Sequence, residues 1–379
     1  MRIALVVPGG VDASGEDRVI PAVVWLIERL AKRHDVHVFA MHQQPSYGAW
    51  PLRGARVENI GTTRFRRSRF FARFAAAHRA APFDVVHAIF GGVGALAAFA
   101  AKRHGVPFVL HLAGGEPVAL KGIGYGSCLT FRGRMGLRIA SAAATRVTVA
   151  TRYMQARARE LGIAAELVAL GVALDRWPPR RPAPRETGAV TRLLHIGDLR
   201  PVKGQDTLLA AVAQLVRDGV KVTLDVAGVD TMGGSLQRSP SALALGDRIR
   251  FHGLLSRDRL RALVERSDIL VHASLHEAGP VCVLEAAIAG VPTVGTNVGQ
   301  VSDWSPEAAV ATPVGDAAAL ARAIALLAAD EPRRLRLAAE AQSRAIQIDA
   351  DHTADAFERI YDEVSVRRGT RGMRASQTT

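Results

Sequence analysis

Ser274-Leu-His-Glu277-Ala-Gly-Pro-Val-Cys-Val-Leu-Glu285-Ala-Ala-Ile-Ala-Gly290 lies between two short apolar runs, 269–273 and 291–295. The runs read as buried strands, and the span between them as a loop that becomes a helix at Gly279-Pro280. Proline suits a first helical turn, where its missing N–H is not needed. Strand, loop, helix and strand make one crossover unit, and repeated units of this kind build a parallel, doubly wound sheet. The first turn at Gly279, Pro280 and Val281 leaves N–H groups unpaired, which suits a phosphate. Glu285 sits about five residues into the helix, roughly 7–8 Å along its axis. One carboxylate then precedes the phosphate position and the other lies beyond it, as gripping the hydroxyls on either side of a diphosphate requires. The plain alternative is an acid that stabilises a helix N-terminus, with Glu285 on a solvated face. Against it, Glu285 is flanked by Val281, Val283, Leu284, Ala286 and Ala287, and a carboxylate in so apolar a stretch needs a partner.

The same rhythm continues in both directions. Toward the N-terminus of this half, 192–196 and 221–227 read as strands, 249–251 leads to His252-Gly253, and 205–218 and 257–266 read as helices. Beyond it, 317–328, 333–346 and 354–366 have helical periods. The first half repeats the pattern, with strands at 3–7, 36–41, 85–88, 106–112 and 146–150 and helices at 18–33 and 92–104. Trp177-Pro-Pro-Arg-Arg-Pro-Ala-Pro-Arg185 interrupts it and reads as a linker. The expected organisation is an α/β fold of two Rossmann-like, doubly wound parallel-sheet domains facing each other across a cleft. Domain one covers 1–172, a linker 173–191, domain two 192–350, a helix 351–366 packing back toward domain one, and a disordered tail 367–379.

Composition narrows the function. Of 379 residues, 49% are apolar and 22% charged, which is globular and too long for one core. The two cysteines, Cys128 and Cys282, form neither a disulfide framework nor a zinc knuckle, so a reduced, cytosolic setting is expected. The opening apolar run stops at Pro8, too brief for a signal-peptide core, and 88–101 is too short to span a bilayer. Residues 1–180 hold 25 Lys and Arg against 11 Asp and Glu, which accounts for the whole net charge of +14. Such a field attracts polyanions or anionic lipid, although an arginine-rich composition alone could also produce it. Dinucleotide binding is excluded. The first loop is Pro8-Gly-Gly-Val-Asp-Ala-Ser-Gly15, not G-x-G-x-x-G, and no ribose-binding acid follows the second strand.

The 277–285 segment resembles the E-x7-E signature of retaining GT-B glycosyltransferases of glycosyltransferase family 4. The resemblance extends to Gly197-Asp-Leu-Arg-Pro-Val-Lys203-Gly204-Gln-Asp-Thr-Leu-Leu, to Ile249-Arg-Phe-His-Gly253, to the glycine-rich loop of 3–15 and to Ala169-Leu-Gly171-Val-Ala-Leu-Asp175. It covers nearly the whole chain to about residue 365. It implies transfer of a sugar from a UDP- or GDP-sugar to a lipid-linked, glycan or small-molecule acceptor. Lys203, Arg200, Gly279, Pro280, Val281 and Gly10 would meet the donor diphosphate, and Glu285, Gly253 and Leu254 the nucleoside. Glu277 would orient the sugar. His111 matches the histidine that faces it, although a lone histidine in an apolar strand also suits a core. Gly9, Gly15 and Glu116 fall on the acceptor side. Where the family usually has an arginine, this chain has Asp198. No cofactor is implied, and nothing resembles the D-x-D metal site of other glycosyltransferases, so no metal is expected.

Arg64-Phe-Arg-Arg-Ser-Arg-Phe-Phe-Ala-Arg-Phe74 supports two readings. As a basic amphipathic helix it would make a peripheral contact with an anionic membrane. As an ordinary helix it would pack its phenylalanines on the first sheet. No nucleic acid is expected as a partner. The rival functions are an epimerase or sugar-phosphate synthase of the same fold, and a non-catalytic basic protein that binds polyanions or lipid.

Overall fold

The computed structural model describes every residue except Thr187 and 377–379. The chain forms two units, Met1–Gly171 with Ala350–Thr379, and Val172–Asp349.

The first unit carries β1 (Arg2–Val7), β2 (Asp35–Ala40), β3 (Gly48–Leu52), β4 (Ala55–Asn59), β5 (Val85–Ile89), β6 (Phe108–Leu112), β7 (Arg146–Val149) and β8 (Glu166–Leu167). They form one sheet in the order β3-β4-β2-β1-β5-β6-β7-β8. All neighbours are parallel except the β3–β4 hairpin. The inner strands are near-continuous apolar runs because helices cover both faces. The hairpin escapes the sequence pattern because Pro51 and the charges of β4 weaken it; proline is tolerated there because β3 is the edge. The first helix starts at Pro21 and not at residue 18, since Arg18 has φ 50° and breaks the helical backbone. Phe70 and Phe74, on the helix Arg66–Ala80, are fully buried with their rings 5.8 and 5.6 Å from Phe39. Those phenylalanines pack on the sheet.

The last helix, Ala350–Ser376, belongs to the first unit. Phe357 and Tyr361 are fully buried, while Arg33–Asp355 at 2.9 Å and Arg146–Glu363 at 3.2 Å line its exposed margins. The apolar burial outweighs these exposed pairs, each worth about 0–1 kcal/mol. The backbone stays helical through 367–376, where the sequence reads as a tail. An existing helix adds one internal hydrogen bond per residue and needs no new nucleus. The rest of that stretch, 377–379, lies outside the described residues.

The second unit carries β9 (Thr191–Ile196), β10 (Val222–Ala227), β11 (Ile249–Gly253), β12 (Ile269–His272), β13 (Thr293–Thr296) and β14 (Ala309–Thr312). The sheet is wholly parallel, in the order β11-β10-β9-β12-β13-β14. The order reverses between β9 and β12, and open α/β sheets bind ligands beyond the carboxyl ends of the strands at such a point. The linker packs on this unit through Trp177 and Arg185. Trp177 is fully buried and donates from Nε1 to the Glu285 carbonyl at 2.9 Å, and Arg185 bonds Glu331 at 2.9 Å.

Candidate functional site

The switch point of the second sheet gathers the strongest group of residues. After β9 the chain crosses Gly197 and makes a single 3-10 turn, Pro201–Lys203. Gly204 follows with φ 64°, and a Cβ there would overlap the Ala273 carbonyl oxygen at the end of β12. Only glycine lets the two loops approach so closely. The Leu275 amide donates to the Val202 carbonyl at 2.8 Å and locks the approach.

This contact brings Lys203 to Glu277. Lys203 Nζ lies 2.7 Å from Glu277 Oε1, Ser274 Oγ donates to the same oxygen at 2.7 Å, and His272 Nε2 lies 3.2 Å from it. The histidine contact is an ion-pair approach off the hydrogen-bond direction. Burial alone would raise the Glu277 carboxyl, but Lys203 and His272 hold it well below the usual carboxylate range. His272 shows the converse. Burial lowers it, yet Cys282, with Sγ 3.9 Å from Nδ1, and Glu277 push it up to about 9. The result is a carboxylate held ionised between two cations. A Cβ on Gly299 (φ 54°) would stand 2.8 Å from the Glu277 Cβ, so the helix Gly299–Trp304 starts close against the base of the Glu277 side chain.

Glu285 sits on the helix Val281–Ile288, 5% exposed. Burial lifts its carboxyl to about 7, with Arg257 opposing. Pro280 stands just before the helix with extended backbone, one position earlier than a first-turn proline. Asp198 turns its Oδ1 to the Val229 amide at 3.2 Å, so its carboxylate ties the loops after β9 and β10 together. Arg200 is exposed and lies outside the Lys203–Glu277 cluster. Gly253 ends β11 with φ 66°, and Leu254 beside it is 64% exposed.

The first unit revises three expectations. His111 is fully buried, its Nδ1 2.8 Å from Thr148 Oγ1 and its ring edge-on to Phe357 at 5.6 Å. Burial pushes it down to about 3, so the ring is neutral. Ile89 pairs with His111 and His87 with Val109, so both histidines share the sheet face covered by the last helix, where His87 meets the Tyr361 hydroxyl at 2.6 Å. In this structure His111 is thus a core residue of the first unit, with its Nε2 buried and without a hydrogen-bond partner. Glu116 is buried and accepts from the amides of Gly91 at 2.8 Å and Gly114 at 2.7 Å. It caps the helix Gly91–Arg103 and is spent on that task. The Gly10 amide donates to Gln43 Oε1 at 2.6 Å and the Val11 amide to the same oxygen at 3.0 Å. Those N–H groups are already satisfied. Gly9 packs on Gln43 as well, and Gly15 closes a turn on the Asp12 carbonyl at 3.0 Å.

Sequence reasoning missed His272, Ser274, Gly299 and Gln43. Each looks ordinary in its local stretch, and only its place at or just beyond the carboxyl end of a strand marks it. Among the described residues, no helix is long and apolar enough to cross a membrane, and no three His, Cys, Asp or Glu side chains are grouped to hold a metal ion.

Two family models match the chain. Residues 181–344 match the glycosyl transferases group 1, and residues 19–173 a glycosyl transferase 4-like domain. The chain thus carries a glycosyl transferases group 1 domain and a glycosyl transferase 4-like domain. It is 31% identical over 204 residues to a glycogen synthase of Mycobacterium tuberculosis strain H37Rv, covering 53% of this chain and 48% of that one. It is 29% identical over 215 residues to a D-inositol 3-phosphate glycosyltransferase of Rhodococcus opacus, with the same coverage of 53% and 48%. The chain thus spans about half the length of these curated relatives. A sucrose-phosphate synthase of Thermosynechococcus elongatus has the same fold, with TM-score 0.77 and 18% identity over 97% of this chain and 100% of that one. So does Anabaena Alr3699/HepE, solved with UDP and glucose, with TM-score 0.72 and 19% identity over 96% and 100%. This chain shares the two-sheet GT-B architecture of these structures.

Proposed function

We propose that this chain transfers a sugar from a UDP- or GDP-sugar to an acceptor with retention of configuration at the sugar carbon. The observation that carries the reading is the Lys203–Glu277 pair at the switch point of the second sheet, with Glu285 buried eight positions further on. A diphosphate drawn to Lys203 finds the start of the helix Val281–Ile288 beside it, with the dipole favouring its charge. Glu277 stays ionised, and its Oε2, away from the contacts on Oε1, accepts from a sugar hydroxyl. Glu285 holds the nucleoside ribose, with Gly253 and Leu254 at the base.

In this reading the bond between the sugar carbon and the diphosphate oxygen breaks as Lys203 stabilises the departing charge. The acceptor hydroxyl bonds to the same face of that carbon, and its proton passes to the departing phosphate. No protein base and no metal is required. The UDP complex of the Anabaena structure supports a uridine donor. The first unit, with its excess of arginine, supplies the acceptor contacts, for a lipid-linked, glycan or small anionic acceptor.

Thermal melts with UDP, GDP and ADP test the donor assignment, because a ligand bound only by the folded state raises the melting temperature. One nucleotide is expected to stabilise the parent chain, and Lys203→Ala to abolish the effect. A parent chain indifferent to all three would end the proposal. Nuclear magnetic resonance of the product, made from an α-linked donor, reads the stereochemistry; a β-linked product overturns retention.

A further inference from the structure

A cavity of about 630 Å³ opens in the first unit at the carboxyl ends of β1 and β2. Pro8 follows β1, Met41 and His42 follow β2, and Gly92 and Val93 lie in the first turn of the helix after β5. The sheet order reverses between β1 and β5, so the cavity lies where an open α/β sheet takes its ligand. Its walls are of two kinds. Arg66, Arg67 and Arg132 bring three guanidiniums to it, and no carboxylate lines it. Phe71, Leu96 and Phe99 supply an apolar side, with the two phenylalanine rings 5.2 Å apart.

The three arginines are set apart from their neighbours. Arg69 and Arg73, on the same helix as Arg66 and Arg67, are spent on the Ile60 carbonyl and the Glu58 carboxylate. Arg66, Arg67 and Arg132 make no ion pair among the described residues. Three unneutralised cations around one hollow repel one another unless an anion joins them, and guanidiniums suit phosphate oxygens in particular. Beside them Phe99 is 58% exposed, and Phe131, Met135 and Ile139, at every fourth position of the helix Phe131–Ala143, form an exposed apolar stripe next to Arg132. An apolar helical stripe ordinarily faces a core; here it continues the apolar wall outward.

We propose that this cavity binds a phosphate ester whose other end is apolar, with Arg66, Arg67 and Arg132 on the phosphate and Phe71, Leu96 and Phe99 on the apolar part. That this ester is the sugar acceptor rests on the glycosyl transfer proposed above; the binding itself does not.

Calorimetric titration of the full chain with dodecyl phosphate, below its micelle concentration, tests the site. Dodecyl glucoside serves as the uncharged amphiphile and glycerol phosphate as the soluble ester. Saturable binding of dodecyl phosphate is expected, with dodecyl glucoside at least tenfold weaker. Arg132→Ala, and Arg66→Ala with Arg67→Ala, should each weaken dodecyl phosphate about tenfold or more, the loss of a charge-assisted contact. Arg79→Ala, which removes one charge from the helix of Arg66 and Arg67 but outside the cavity, should bind as the parent does. Phe99→Ser should weaken dodecyl phosphate and leave glycerol phosphate unchanged. Glycerol phosphate binding as tightly as dodecyl phosphate, with the same arginine dependence, would keep the phosphate site and overturn its apolar half. Equal binding of dodecyl glucoside, or arginine variants indistinguishable from Arg79→Ala, would overturn the proposal. The nucleotide melts on the same samples separate the two readings. Amphiphile binding lost with the nucleotide response intact sinks this site alone, and the reverse sinks the transfer reaction alone.

Discussion

Lys203 Nζ lies 2.7 Å from Glu277 Oε1 although 74 positions separate them in sequence. The lysine therefore rests on a carboxylate that an incoming diphosphate must share. Replacing Lys203 by Ala should abolish nucleotide stabilisation. It should also cost about 1–3 kcal/mol in urea unfolding, less than the loss of a fully buried partner, because Lys203 is partly solvated and Ser274 and His272 still face Glu277. A variant as stable and as responsive to nucleotide as the parent would remove Lys203 from the site.

Gly204 holds that pair in register. Gly204→Ala must accommodate φ 64° and an overlap with the Ala273 carbonyl. Gly105→Ala must accommodate a similar φ of 61° with nothing within 4 Å. The second should lose about 1–2 kcal/mol for the left-handed backbone, and the first clearly more, with a weakened nucleotide response. Equal losses in urea unfolding would show that the close approach is unimportant.

Glu285 gives a pH signature. Its carboxyl is raised by burial from an ordinary value of 4.5 to about 7. The folded state therefore holds the proton more tightly than the unfolded state. Its stabilising contribution is complete below pH 4.5 and lost as pH rises to 7, about 3 kcal/mol in all. Glu285→Gln cannot ionise, so its stability relative to the parent should improve between pH 4.5 and pH 8, while its nucleotide response is lost. Unfolding curves of both chains at pH 5 and pH 8 make the comparison. A stability difference that does not change with pH would contradict the buried, raised carboxyl.

His111→Ala separates core from chemistry. Removing a buried ring packed on Phe357 and Thr148 should cost about 2–4 kcal/mol. The nucleotide response should persist, and turnover per folded molecule should stay within a few-fold of the parent at a temperature where the variant is folded. A stable variant with turnover lost would restore His111 to catalysis.

Much of the second unit is legible without coordinates. Its strands are continuous apolar runs, its helices have clear periods, and Gly204 and Gly279-Pro280 punctuate the loops that matter. The Glu277–Glu285 spacing is local, about two helical turns, so the segment alone displays it. β3, β4 and β14 are harder to see, because a proline, alternating charges or a four-residue length weakens their periodic signal. The pairing of His272 with Glu277 was hidden for another reason. It depends on which way a strand residue points and on what the next loop brings back.

By itself, the sequence determined the alternation of strands and helices, the presence of two parallel-sheet units, the paired acids and the concentration of positive charge in the first half. These follow from backbone hydrogen bonding and apolar periodicity, which act over a few residues. Tertiary structure alone decided that His111 turns to the last helix, that Gln43 occupies the Gly10 amide, that Glu116 caps a helix, and that Arg66, Arg67 and Arg132 meet at one cavity. A one-residue change of strand register reverses the face a side chain takes, and partners distant in sequence meet only after the sheet order is set.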